Sequence, residues 1–251
     1  MTILLSAFLL SVVLVGIHSY FGLEIIKRGI IFTDLAIGQM AAVGAAISIF
    51  LLGGEYLYPV SLVFSLLGGL IIALVSRRTE NLEAFIGLMY AFGVSAVFIL
   101  LCNSSHGLET FKKLMAADIL FTPMEDILKT AALYAALGVF IFFFHRKTSG
   151  FVKDILFFVT FAVTVTSSVK MAGVLIVFAL LVAPAMISLR VSHKHNLFLA
   201  WTIGTIVNLG AILFSYWLDY PTGYTLVFCH SLLAALATAL FQHKKKAEAK
   251  A

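Results

Sequence analysis

Apolar residues run through this chain in long, nearly unbroken stretches, separated by short clusters of charged residues, Gly and Pro. A helix needs about 20 mostly apolar residues to cross a hydrocarbon core of roughly 30 Å. On that measure the pattern predicts nine segments: Ile3–Gly22, Ile30–Leu52, Tyr56–Val75, Ala84–Cys102, Ile127–Phe144, Ile155–Val169, Met171–Leu189, Leu197–Leu218 and Tyr224–Phe241. The runs are apolar on every face. A membrane barrel would instead alternate polarity over strands of about ten residues, so an all-α, polytopic integral membrane helical bundle of eight to nine segments is expected. Segment six is short, about 22 Å at 1.5 Å per residue. With segment seven it either crosses twice or forms a re-entrant hairpin.

Composition supports the same class. Of 251 residues 62% are hydrophobic and 12% charged, and the mean hydropathy is +1.08. A soluble domain carries roughly 25% charged residues, so this chain lacks the charge to cover a water-soluble globule. Cys102 and Cys229 are the two cysteines, too few for a disulfide framework or a Cys-rich metal site. The N-terminal run has no basic stretch before it and is read as a first membrane helix rather than a removed leader. No linker divides the chain. Residues 1–243 are expected to form one transmembrane domain and 244–251 a basic cytoplasmic tail.

The surplus of five positive charges does not form one patch of the kind that binds nucleic acid. It falls in the loops and sets the orientation. If alternate loops are cytoplasmic, beginning with Lys27 and Arg28, 13 Lys and Arg lie inside and four (Lys112, Lys113, Lys129, Lys170) outside. The N-terminus is then outside and the C-terminus inside. The long outer stretch Asn103–Asp126 is expected to form one or two amphipathic turns on the surface.

Charge within the membrane is costly and usually functional, and here it is scarce. Asp34, Asp154 and Asp219 lie near segment ends, Asp34 either as an interfacial carboxylate beside Lys27 and Arg28 or, with Gln39, His18 and His230, as a candidate residue of the substrate path. A proton- or sodium-coupled carrier would keep a mid-membrane carboxylate, so that class is disfavoured. In segment two Gly38, Ala42 and Ala46 form a stripe of small residues that lets helices approach closely. Gln39 must face protein or a water-filled path, because lipid would leave its amide unsatisfied. Asp34 and Gln39 are about 140° apart around the helix and cannot act on one face. His18 and His230 fall inside segments one and nine, as packing residues or transient metal ligands; the other five histidines sit in loops or at segment ends. No H-E-x-x-H, G-x-S-x-G, C-x-x-C or G-x-x-x-x-G-K-[ST] occurs, so neither a membrane enzyme nor an ATP site is expected on this chain.

Four motifs in order carry a resemblance. KMAGVLIVFALLVAPAMISLR supplies Gly173, Ala179, Leu180, Leu181, Pro184 and Ala185; DYPTGYT supplies Asp219, Pro221, Gly223 and Thr225; AADILFTPMED supplies Asp118 and Pro123; and RGIIFTDLAIGQMAAVG leads into segment two. Together the chain resembles the permease subunit of bacterial zinc/manganese-type ABC importers. The resemblance implies a multi-pass protein of the bacterial inner membrane, paired as a homodimer or with a similar permease. It also implies cytoplasmic ATPase subunits that bind ATP and magnesium, and an extracytoplasmic metal-binding protein that delivers zinc, manganese or iron. Many members carry Asp-x-x-x-His on the second helix. Aligned on Gly44, this chain has Leu35 and Gln39 there, with Asp34 one residue off. The family's loop between helices five and six docks on the ATPase; here it is short, and Lys147, Thr148, Ser149, Gly150 and Phe151 are the candidate contact. A permease of the same architecture for another cargo, and an ATP-independent transporter or channel, are the alternatives.

Overall fold

The computed structural model describes residues 2–102, 104, 109, 111, 119–144, 147–191 and 195–248, with the backbone alone for residues 2 and 241–248. Nine helices among them are long and apolar enough to cross a membrane. They are α1 (Thr2–Arg28), α2 (Thr33–Leu52), α3 (Leu57–Val75), α4 (Leu82–Leu101), α5 (Met124–Phe144), α6 (Gly150–Ala172), α7 (Val174–Val191), α8 (Asn196–Leu218) and α9 (Thr222–Glu248). A 3-10 turn, Ile119–Phe121, precedes α5, and no strand occurs among the described residues. The outer stretch expected to form amphipathic turns lies mostly outside the described residues, as do Asp118, His106 and His193.

Helix breaks follow backbone chemistry. Gly53 and Gly54 take left-handed φ of +63° and +89°, and their N–H groups return to the Ser48 carbonyl to close α2. Gly173, at φ +82°, is the single residue between α6 and α7. A residue with a Cβ is strained at such angles, which places Gly at these ends. Pro59 sits in the first turn of α3, where its missing N–H costs nothing. α6 is longer than its apolar run. It begins at Gly150 and takes Lys153 and Asp154 into its first turns, giving 23 residues, about 34 Å. That length removes the reason for treating segment six as a short, re-entrant piece.

The helices sort into two compact units. One comprises Gly29–Ala117 and Lys129–Val174; the other comprises Met1–Arg28, Asp118–Leu128 and Leu175–Ala251. In the first, α2 lies against α3, α4 and α6. Each contact is made possible by a missing side chain. A Cβ on Gly44 would lie 2.7 Å from the Val60 carbonyl oxygen and 2.8 Å from Ser61 Cα, so α2 and α3 touch backbone to backbone. Gly93 of α4 leaves room for Gln39 Cβ, and Gly69 of α3 lies 2.9 Å (as a Cβ) from the Phe158 carbonyl oxygen of α6. Ala42 and Ala46 pack into a cluster with Val97 and Leu101. Gly38 faces Val165, Val169 and Val174. α6 carries Thr160, Thr164, Thr166, Ser167 and Ser168 into this interior, each hydroxyl donating to a carbonyl three or four residues back. That back-bonding is how a hydroxyl enters an apolar interior without an orphan proton.

In the second unit α1 packs on α8. Trp201 Nε1 donates to the Gly16 carbonyl at 2.8 Å, and Gly204 gives way to Val15. Gly22 of α1 rests on α7, where a Cβ would run into the Leu181 carbonyl oxygen and reach Ala185 Cβ at 3.0 Å. The Ala179–Leu180–Leu181–Pro184–Ala185 run is buried within α7. The DYPTGYT stretch is a turn between α8 and α9. Asp219 takes φ +54°, Tyr220 N–H returns to the Ser215 carbonyl at 3.0 Å, and Ser215 Oγ bonds the Tyr220 carbonyl and Thr222 Oγ1. Gly223 then passes Ile176 at a separation that leaves a Cβ 3.0 Å from its Cδ1.

These contacts set a test. Gly22→Val is expected to overpack the α1–α7 contact by about 1–3 kcal/mol and to lower the melting temperature of the detergent-purified protein. Gly210→Ala, with nothing within 4 Å of its Cβ, is expected to leave it unchanged or raise it. Equal melting of Gly22→Val and the parent would contradict the close approach.

Candidate functional site

The sequence points first to α2. Its opening turn holds Thr33 and Asp34, both buried. Phe32 N–H, at the start of the helix, donates to Glu83 Oε1 of α4 at 3.2 Å. A carboxylate there satisfies a helix-end donor and meets the positive end of the helix dipole. Asp34 is 1% exposed, and neither carboxylate oxygen makes a hydrogen bond of good geometry, although the N–H groups of Asp34 and Leu35 lie close by. The expectation of an interfacial carboxylate is therefore corrected. Asp34 is buried in the first turn of α2.

Gln39 sits against Gly93 on a different face. It is half-buried, as is Leu35 one turn before it, and its amide bonds no described residue. Leu35 and Gln39 thus share one half-open face of α2, while Asp34 points into the packed interior. The structure does not bring Asp34 and Gln39 together.

The second unit holds the two buried histidines. His18 of α1 donates from Nδ1 to the Leu14 carbonyl at 2.8 Å. His230 of α9 meets Asn208 Oδ1 through Nε2 at 2.8 Å, and Asn208 Nδ2 donates to the Ser11 carbonyl at 3.4 Å. Because the Asn208 amide N–H is spent on Ser11, its oxygen faces His230, and Nε2 carries the imidazole proton. His230 Nδ1 is buried without a hydrogen-bond partner. Asn208, fully buried, completes this bridge across α1, α8 and α9. Sequence reasoning missed it; a lone Asn in an apolar run was its signal. Among the described residues, no group of three or more His, Cys, Asp or Glu is placed to hold a metal ion.

The third candidate is the loop between α5 and α6. Lys147 N–H, Thr148 N–H and Thr148 Oγ1 all donate to the Phe144 carbonyl, at 3.1, 3.0 and 2.9 Å. Ser149 is extended, Gly150 takes φ +60°, and Phe151 lies beneath the Arg77 guanidinium, 5.0 Å from Cζ to the ring centre.

Residues 150–241, from the first residue of α6 into α9, match the ABC 3 transport family. The chain is similar in fold to PsaBC from Streptococcus pneumoniae, solved in complex with Fab: the TM-score is 0.74 at 20% identity, over 94% of this chain and 91% of that one. It is also similar to a transporter described as of the metal-chelate ABC type, in an inward-facing conformation (TM-score 0.66, 14% identity, 94% of this chain and 85% of that one). An uncharacterized membrane protein from the ycf23–apcF intergenic region of Cyanophora paradoxa is 25% identical over 233 residues, 82% of this chain and 78% of that protein. The chain is thus a multi-pass membrane protein with the fold of these ABC transporters.

The half-open α2 face generates a prediction. Gln39→Leu is expected to lower cargo transport several-fold while assembly, followed by size exclusion, stays unchanged. Full rate and selectivity in this variant would remove Gln39 from the path.

Proposed function

We propose that this chain is the transmembrane permease subunit of an ATP-driven importer for a divalent transition metal. The cargo class is zinc, manganese or iron. The observation that carries the proposal is a whole-length fold likeness to a metal-chelate type ABC transporter, joined to the family match over α6–α9. The four ordered motifs and the lack of any nucleotide-binding motif in this chain support it. ATP and magnesium then act on separate cytoplasmic ATPase subunits, and an extracytoplasmic binding protein delivers the metal. Two permease chains enclose the path. Closure of the ATPases rocks the helices and exposes the path to each side in turn. On the loop-charge count the N-terminus is outside and the C-terminus inside, which puts Lys147–Phe151 on the ATPase side.

A second reading keeps the architecture and changes the cargo. Leu35 and Gln39 favour it, because an aliphatic chain and an amide bind a zinc or manganese ion less well than a carboxylate and an imidazole.

Purification of the tagged protein from its host in mild detergent, with mass spectrometry of its companions, tests the proposal. A stoichiometric ATPase is expected. A folded preparation that carries no ATPase would contradict ATP-driven import and favour an independent carrier. Stimulation of the ATPase by metal-loaded binding protein, across zinc, manganese and iron, separates the two cargo readings.

A further inference from the structure

Helices α3 and α6 run antiparallel and touch along their whole lengths. The contacts fall in order from one end to the other. Arg77 covers the Phe151 ring at 5.0 Å. Gly69 meets the Phe158 backbone and Ala162. Thr166 Oγ1 and Ser65 Oγ lie 2.6 Å apart, within hydrogen-bonding distance. Lys170 Nζ then lies 5.3 Å from the centre of the Tyr58 ring. Each helix supplies the cation at one end and the ring at the other. The two middle contacts are as close as helices come: one needs a glycine, and the other is a buried hydroxyl pair.

The Arg77 end has a particular neighbour. The α5–α6 segment hangs from the Phe144 carbonyl on one side. On the other, Gly150 brings the chain close enough that a Cβ would lie 4.0 Å from Arg77 Nη2. Phe151 is therefore held between the first turn of α6 and the guanidinium that closes α3. Arg77, Arg78 and Lys147 are exposed. α3 in turn contacts α2 backbone to backbone at Gly44.

We propose that Arg77 is a positioning residue for ATPase coupling: its stacking on Phe151 fixes the Lys147–Phe151 segment to α3, so that the clamped α3–α6 pair moves as one strut and carries the ATPase stroke to α2. The inference rests on the reading of this chain as an ATPase-driven permease, and it names the residue through which that drive enters. Arg77 need not touch the ATPase itself. The exposed positive charge of Arg77, Arg78 and Lys147 suits a partner that offers carboxylates.

The test uses the complete transporter in proteoliposomes and reads the ratio of metal moved to ATP hydrolysed, with zinc, manganese and iron each offered. Arg77→Ala is expected to lower that ratio about two- to fivefold, the range a partly exposed cation–π contact sustains. Phe151→Leu, which keeps an apolar body and removes the ring face, is expected to do the same. Arg77→Lys and Phe151→Trp, which retain a cation over a ring, should hold the ratio near the parent value. A merely structural role would lower the yield of complex and leave the ratio alone. An unchanged ratio in both Arg77→Ala and Phe151→Leu overturns the proposal while the permease reading stands. A parent preparation without ATPase removes the permease reading and this inference with it.

Discussion

Contact between helix backbones, made possible by glycine, is the constraint on which the rest of this structure depends. Lipid tails are as apolar as leucine, so burying leucine between membrane helices gains little, and close packing and internal hydrogen bonds must hold them instead. Here the helices approach until carbonyl oxygens and Cα atoms of one occupy the space a Cβ would take on the other. Gly44 does this for α2 against α3, Gly69 for α3 against α6, and Gly22 for α1 against α7. The first two lie in one unit and the third in the other, so each unit has its own close contact.

The same solvent dictates how polar groups are handled. Hydroxyls on α6 bond the carbonyls of their own helix, and the few that reach across, such as Thr166 to Ser65 and Tyr134 to Ser167, do so where both partners are buried. The His230–Asn208–Ser11 bridge does the same for the other unit. Against this background Asp34 and His230 Nδ1 stand out as buried polar atoms without hydrogen-bond partners. Gln39 differs from both in being only half-buried. In a membrane its amide must be met by water, cargo or another chain.

Hydropathy made the nine helices legible, because apolar runs of membrane length have few other uses. It failed where charge and helix overlap. Lys153 and Asp154 ended the apolar run at Ile155, yet the backbone stays helical to Gly150, since first-turn side chains can extend away from the apolar core. The close contacts were only partly legible. The Gly38–Ala42–Ala46 stripe announced itself by its spacing, whereas Gly44, Gly69 and Gly22 meet partners far away in sequence and no local pattern names them. Asp34 was misread because proximity to Lys27 and Arg28 in sequence says nothing of which neighbours close over a helix end. The motifs DYPTGYT and ALLVAPA were legible as a resemblance; their physical content, a hydroxyl-tied turn and a bed for Gly22, needed coordinates.

As the proposed importer permease, this chain would pass metal only when a separate ATPase drives it. Uptake of zinc, manganese and iron into proteoliposomes holding the purified complex, with external binding protein and with ATP either enclosed or withheld, tests that claim most directly. Accumulation of one of these metals only when ATP is enclosed is the predicted result. Equal accumulation without ATP, or none of any metal from an assembled and ATP-hydrolysing complex, would contradict it.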